Sequence, residues 1–283
     1  MMWNWTKVFL RYCDGGSFSG MNMTVENFED TSLYWRGGYV REAIEKDLFE
    51  NQGLRKVTDL VVSGCSAGGL ATYLHTDQWC DALHDQNPSG KCVGLPDSGF
   101  FLDYQDPNVE CTPKSASTTT MLGANINGDY HCGLKWTFEI QNATMGINQD
   151  CVEAHRESDD VWKCMFAEHS SEHIRAPVFA LQSQYDSWQI LYLQGPDGGD
   201  AKTQELGNNI TARIQSMLMA NNKESGAFLD SCHHHCGAWN SIRIDGDLSS
   251  GAIQKWYETI GVSGAKKLWN QNKAYPCDSC CKP

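Results

Sequence analysis

Val61-Val62-Ser63-Gly64-Cys65-Ser66-Ala67-Gly68-Gly69-Leu70-Ala71-Thr72-Tyr73-Leu74-His75 is the stretch on which the fold turns. An apolar, β-branched run stops at a glycine. A serine follows between small residues, and helical apolar spacing begins at once with Leu70, Leu74 and Trp79. Gly64-Cys65-Ser66-Ala67-Gly68 fits Gly-x-Ser-x-Gly, the sharp strand-to-helix turn that lifts a nucleophile to the carboxyl edge of a sheet. Such a turn calls for glycine on both sides, because a Cβ there would meet the neighbouring strand or helix. The Ala67 N–H, at the positive end of the following helix, is then placed to receive an oxyanion. The pattern is short, and a glycine-rich β–α turn that binds nothing would carry it too, but the strand before it and the helix after it favour the elbow.

Working outward, 283 residues suffice for one large α/β domain with a sizeable core. The 13 cysteines, from Cys13 to Cys281, are more than reducing compartments commonly carry, so an oxidising one with several disulfides is expected. No paired zinc-ribbon spacing is present. The odd count leaves at least one free thiol, for which Cys65 inside the elbow is the candidate. Sequons at Asn4, Asn22, Asn142 and Asn209 are compatible with a secreted glycoprotein. The start Met1-Met2-Trp3-Asn4-Trp5 lacks the apolar core of a signal peptide, and no run is long enough to span a bilayer. A net charge of −13 argues against nucleic acid and anionic membrane partners, and mildly against a strongly polyanionic substrate.

In chain order, Lys7–Tyr12 reads as a short strand before the turn-rich Cys13–Gly20. Tyr39–Leu48 reads as a helix and Val57–Ser63 as the central strand. The elbow helix reaches about Leu83, and Cys92–Leu95 is another strand. From about 103 to 175 the periodicity dissolves into a cysteine-rich insertion, helical in pieces and capping the site. Pro177–Gln182 is a buried strand, Thr203–Ala220 a helix, Gly226–Leu229 the last strand and Ala252–Ile260 a closing helix. This alternation predicts an α/β fold: one α/β-hydrolase-like domain over 1–283, doubly wound around a mostly parallel sheet, with the disulfide-rich insertion.

A serine hydroxyl needs a base to take its proton and a carboxylate to fix that base's tautomer. In α/β-hydrolases these follow in the order serine, acid, histidine, each just after a strand. Ser66, Asp186 and a histidine of His233-His234-His235 satisfy the order. Asp97, Asp103, Asp159 and Asp160 are rival carboxylates. The histidine run could instead bind zinc, with Cys232 and Cys236 as ligands only if reduced. Adjacent side chains on an extended backbone diverge, so at most His233 and His235 would converge.

Several blocks together resemble the pectin acetylesterases and their animal relative, the Notum carboxylesterase family. They are Tyr12-Cys13-Asp14-Gly15 with Ser17-Phe18-Ser19-Gly20, Ser63 to Gly69, Asp97-Ser98-Gly99-Phe100-Phe101-Leu102-Asp103, Tyr185-Asp186-Ser187-Trp188-Gln189-Ile190, Asp230-Ser231-Cys232 with His235-Cys236, and Tyr275-Pro276-Cys277. They fall in the family's order over nearly the whole chain, and the tryptophan-bearing and cysteine-flanked blocks look closer to the plant type. The resemblance implies an α/β-hydrolase-like fold and cleavage of O-acyl esters by a secreted enzyme. It also implies Ser66 as nucleophile, Asp186 as acid and His235 as base. The family opens with a Gly-Gly-Gly-Trp-Cys loop that supplies part of its oxyanion hole. No such loop precedes Lys7, and Gly15-Gly16 comes too late in the order to replace it. Truncation with impaired turnover is therefore expected, since losing one donor costs roughly 10²–10³.

The sequence thus points to a serine carboxylesterase, a monomer without cofactor or metal, removing acetyl groups from a cell-wall or extracellular polysaccharide. Ser66, Asp186 and His235 would act, with Ala67 N–H in the oxyanion hole and Phe100, Phe101 and Trp188 lining a shallow acyl pocket. A lipid-ester deacylase of the Notum kind and an inactive carbohydrate-binding homologue are the competing readings.

Overall fold

β-Branched and apolar runs separated by amphipathic stretches give alternating strands and helices, which the computed structural model describes over residues 2–104, 110–111, 129–194, 199–237, 239–277 and 279–281. A two-stranded antiparallel ribbon, β1 (Val25–Phe28) and β2 (Thr31–Tyr34), precedes helix α1 (Gly37–Glu50). Strand β3 (Asp59–Cys65), helix α2 (Ala67–Gln86) and strand β4 (Lys91–Asp97) follow. Helices α3 (Asp129–Ile140) and α4 (Gln149–Ala154) belong to the insertion. Then come β5 (Phe179–Ser183), α5 (Gly199–Arg213) and β6 (Gly226–Asp230). A small ribbon of β7 (Arg243–Ile244) and β8 (Asp247–Leu248) leads into α6 (Ser249–Glu258) and β9 (Leu268–Asn270).

Strands β3, β4, β5, β6 and β9 lie side by side in that order, every pair parallel. Parallel sheets need cover on both faces, so successive side chains feed two cores. Cys92, Ala180, Ala227 and Leu229 pack with α2, α5 and the insertion. Val93, Leu95, Phe179, Leu181, Phe228 and Trp269 pack instead against Ala252, Ile253, Trp256 and Tyr257 of α6. Burying each Leu- or Phe-sized side chain contributes roughly 1.5–3 kcal/mol. Register aligns the carboxyl ends: Cys65 stands opposite Asp97, and Ser183 opposite Asp230. The loops that leave these ends therefore gather over one edge of the sheet, where open α/β sheets place their ligands.

Four expectations change. Lys7–Tyr12 has strand-like composition but forms no strand, and Phe9 is 90% exposed. With no strand beside it among the described residues, β3 is an edge strand rather than a central one. Gly226–Asp230 is not the last strand either; β9 follows it, three residues whose one buried apolar side chain, Trp269, gives almost no periodic signal. The helix expected over 203–220 begins at Gly199 and ends in a π-helical stretch, Ile214–Met219.

The free thiol is not Cys65. That residue pairs with Cys236, and the exposed Cys13 is the cysteine left over. The other disulfides are Cys80–Cys92, Cys111–Cys132, Cys151–Cys164, Cys232–Cys281 and Cys277–Cys280. Of the insertion, 105–109 and 112–128 lie outside the described residues, and the remainder consists of short helices and turns stapled by Cys111–Cys132 and Cys151–Cys164.

Candidate active site

Ser66 occupies the turn between β3 and α2 with φ 58° and ψ −119°, a left-handed conformation that costs a non-glycine residue roughly 1–3 kcal/mol. Close backbone approach makes it persist. A Cβ on Gly64 would lie 2.5 Å from the Gly68 carbonyl, and one on Gly69 would lie 2.5 Å from the carbonyl oxygen of Asp97. Gly68 itself faces open space, so Gly64 and Gly69 are the glycines the turn requires. The Ser66 N–H donates to Asp97 O at 2.9 Å, fastening the elbow to the end of β4. Ala67 opens α2, so its N–H has no acceptor within the helix and is available at the positive helix end.

Asp186 follows β5 and is completely buried. Its Oδ1 accepts the N–H groups of Trp188 and Gln189 at 3.0 Å each, and its Oδ2 accepts from Gln182 Nε2 at 2.9 Å. A buried carboxylate held by these donors stays put and presents its charge to one further partner. That partner is His235, whose Nδ1 lies 2.9 and 3.0 Å from the two oxygens. An ionised carboxylate only accepts, so Nδ1 carries the proton and Nε2 is left with a lone pair. Nε2 stands 2.8 Å from Ser66 Oγ. Serine, imidazole and carboxylate are thus joined in one line of hydrogen bonds.

The rival carboxylates are engaged elsewhere or lie at the surface. Asp97 accepts from Gly237 N–H at 3.0 Å and Trp239 Nε1 at 2.7 Å. Asp103 binds His131 and His169; burial works against its charge, but these two hydrogen bonds prevail and hold its pKa down to about 2. Asp160 pairs with Lys163, and Asp159 is exposed. The histidine run also separates: His233 is exposed beside Tyr275, His234 pairs with Asp230 at 3.0 Å, and only His235 turns to Asp186. Burial opposes charging of His234, but Asp230 outweighs it and raises that pKa. Cys232 and Cys236 are both in disulfides, so neither is a thiolate, and the three imidazoles do not converge.

Phe101 and Trp188 each lie with ring centroids 6.3 Å from His235 and pack on one another at 5.0 Å. Phe100, by contrast, is a core residue, wholly buried against Tyr73. Sequence reading missed Tyr130, which completes the wall at 5.6 Å from Phe101 and 5.2 Å from Trp188. It also missed the bracing roles of Gln182, Asp97 and Ser98. Their signal was present for the last two, as a polar pair at the carboxyl end of a strand. In the Asp14–Gly20 loop, Gly16 N–H is donated to Asp14 Oδ1 at 3.1 Å and is thereby occupied.

The parallel sheet, the strained serine turn and the carboxylate-held histidine define a protein of the α/β-hydrolase-like class. The chain belongs to the pectinacetylesterase family, whose sequence model matches residues 1–282. Pectin acetylesterase 5 of Arabidopsis thaliana is 30% identical over 304 residues, covering 98% of this chain and 64% of that protein. Palmitoleoyl-protein carboxylesterase notum1 of Xenopus laevis is 24% identical, over 98% of this chain and 53% of that one. The solved Wnt deacylase Notum from Drosophila superposes with a TM-score of 0.74 at 19% identity, covering 95% of this chain and 73% of that chain, a likeness of fold. The chain spans about two thirds or less of the length of these curated relatives.

Proposed function

We propose that this chain is a serine carboxylesterase that removes O-acetyl groups from an extracellular, pectin-type polysaccharide through an acyl-serine intermediate. The observation that carries the reading is the line Ser66 Oγ, His235 Nε2, His235 Nδ1, Asp186, with separations of 2.8 and 2.9 Å. In the reaction, His235 Nε2 takes the hydroxyl proton as Ser66 Oγ attacks the acetyl carbonyl. The oxyanion is received by Ala67 N–H, and the imidazolium is stabilised by Asp186. Collapse expels the sugar oxygen, which leaves with the proton from His235. Water then attacks the acetyl-serine by the same route in reverse roles, regenerating Ser66 and releasing acetate.

A short acyl group suits the mutually packed rings of Phe101, Tyr130 and Trp188, two of which lie beside His235. Pectin acetylesterases 5 and 4 of Arabidopsis thaliana match at 30% identity, against 24% for the palmitoleoyl carboxylesterase of Xenopus. Secretion as a monomeric glycoprotein of the cell wall fits the six disulfides and the exposed sequons Asn4, Asn142 and Asn209. Asn22 fits it less well, since its Nδ2 donates to Ile140 O at 2.7 Å. No helix among the described residues is long and apolar enough to cross a membrane. The test is a fluorophosphonate probe with peptide mapping, beside turnover of a small acetyl ester and of acetylated pectin. Labelling at Ser66, lost together with acetate release in Ser66→Ala, is the expected result; full activity in Ser66→Ala would overturn it.

A further inference from the structure

The cysteine immediately before Ser66 is bonded to the cysteine immediately after His235, closing Cys65 to Cys236 across 171 residues. Two side chains that must exchange a proton are thus tied together through their backbone neighbours. The tie matters because the histidine comes from a stretch, 231–237, that has no regular secondary structure. Its other disulfide, Cys232–Cys281, anchors the beginning of the loop to the chain end and not to β3. Between His235 and the nucleophile strand, the remaining backbone ties run through β4: Cys236 N–H to Ser98 Oγ at 2.9 Å and Gly237 N–H to Asp97 Oδ2 at 3.0 Å.

The backbone at this junction is held away from its ordinary preferences. Ser66, Ser98 and Cys236 have φ of 58°, 50° and 63°, a region that L residues occupy only where surroundings over-determine it. Ser98 and Cys236 are hydrogen-bonded to each other, Ser66 N–H is bonded to Asp97 O, and the disulfide closes the circuit from Cys236 to Cys65. Of the three links, only the disulfide joins the two reacting segments without an intermediary.

We propose that the Cys65–Cys236 disulfide is a positioning element of the esterase site, keeping His235 Nε2 within proton-transfer reach of Ser66 Oγ, and that a dithiol opens it and lowers turnover. The inference rests on the triad reading above. Cys65 is exposed and Cys236 half-buried, whereas Cys80, Cys92, Cys151 and Cys164 are buried. A thiolate of the dithiol therefore reaches Cys65 Sγ. It forms a mixed disulfide as the S–S bond breaks, and Cys236 leaves as a thiolate and takes up a proton. The second thiol of the reductant then displaces Cys65 as a thiol, and the dithiol departs as its own cyclic disulfide. With the link open, His235 keeps Asp186 but its loop is fastened towards Ser66 only through β4. Catalytic groups need placement within roughly 0.5 Å, and a displacement of about 1 Å can cost about a hundredfold.

The experiment compares wild type, Cys65→Ala/Cys236→Ala, Cys80→Ala/Cys92→Ala and Ser66→Ala. Readouts are the rate of fluorophosphonate labelling at Ser66, kcat and KM on a small acetyl ester, and the melting temperature. Wild type is also treated with dithiothreitol, alkylated, mapped, and in parallel reoxidised. The expected result is a kcat and labelling rate about tenfold to a hundredfold lower in the 65/236 variant, with KM within about twofold. The 80/92 variant should instead melt lower at nearly unchanged kcat. Mild reduction should open Cys65–Cys236 first, reproduce the loss in folded protein, and be reversed by reoxidation. Should the 65/236 variant fail to fold, the reduced wild type carries the test. Undiminished kcat and labelling with both Cys65 and Cys236 alkylated, or a loss confined to KM, overturns the inference alone. Absence of Ser66 labelling in untreated wild type overturns the triad reading, and this inference with it.

Discussion

The proposed nucleophile and the proposed base are carried by opposite kinds of scaffold. Ser66 sits where β3 runs directly into α2, and its turn is shaped by close backbone packing, Gly64 against Gly68 and Gly69 against Asp97. His235 lies 169 residues further on in an irregular loop, shaped by Asp186, by the end of β4 and by disulfides at Cys232 and Cys236. A turn of the first kind depends on backbone packing and yields where a new Cβ would meet that backbone. A loop of the second kind depends on a few long-range ties, each of which can be cut singly.

The largest expected effect falls on the loop. His235→Ala should lower kcat by about 10⁴–10⁶, because without a base the hydroxyl is barely nucleophilic, whereas His233→Ala should stay within about twofold. Steady-state kinetics on an acetyl ester decide it, and an equally crippled His233 variant would break the contrast between the neighbours.

The next effect belongs to the elbow side and appears in acid. His75 on α2 is buried and donates from Nε2 to Ser17 O at 2.7 Å. Burial foremost, then the nearby Arg41 charge, pushes its pKa down to about 3 from 6.5. Between those values the unfolded chain binds a proton that the folded chain does not, so stability falls as pH falls. The slope is about 1.4 kcal/mol per pH unit, reaching about 4–5 kcal/mol by pH 3. Denaturant titrations of wild type and His75→Gln between pH 7 and 4 should show the steeper fall in wild type; parallel curves would remove His75 from the account.

A smaller effect separates adjacent glycines. Gly69→Ala forces a Cβ to within 2.5 Å of Asp97 O, the acceptor for Ser66 N–H. It should cost about 1–3 kcal/mol and depress kcat. Gly68→Ala meets no atom within 4 Å and should be neutral or stabilising by up to about 1 kcal/mol. Thermal melts of both variants, with kcat measured alongside, would show whether backbone contact or the bare Gly-x-Ser-x-Gly pattern governs the turn.

The smallest effect returns to the loop with the opposite pH sign. The raised pKa of His234 means that its pairing with Asp230 contributes stability fully below pH 6.5 and loses it as pH rises through the raised value. His234→Gln should therefore narrow the stability gap to wild type in mild alkali. A gap that widens there would reverse the assignment of His234 as the charged partner of Asp230.

The elbow was legible because its information is local: a β-branched strand, two close-packing glycines and a helix start fall within Val61–His75. The order Ser66, Asp186 and one histidine of 233–235 was legible because each follows a strand with a clear apolar run, and the family resemblance singled out His235. β9 and the lack of pairing at Lys7–Tyr12 were not legible, since strand composition states what could pair and not which partner stands beside it. Cys65 looked free for a related reason: pairing depends on Cα separation, here 5.9 Å, between residues far apart in the chain.

By itself, then, the sequence determined the strand-turn-helix that carries Ser66, the α/β alternation and the short set of residues able to act with the serine. Those follow from side-chain periodicity and backbone sterics, which operate over a few residues. Only the tertiary structure decided that His234 pairs with Asp230 while His235 lies against Asp186, that Asp97 and Ser98 brace the loop, and that Cys236 joins Cys65. Each of these is a contact between segments brought together by parallel register at one edge of the sheet, and such contacts leave no periodic trace in the chain.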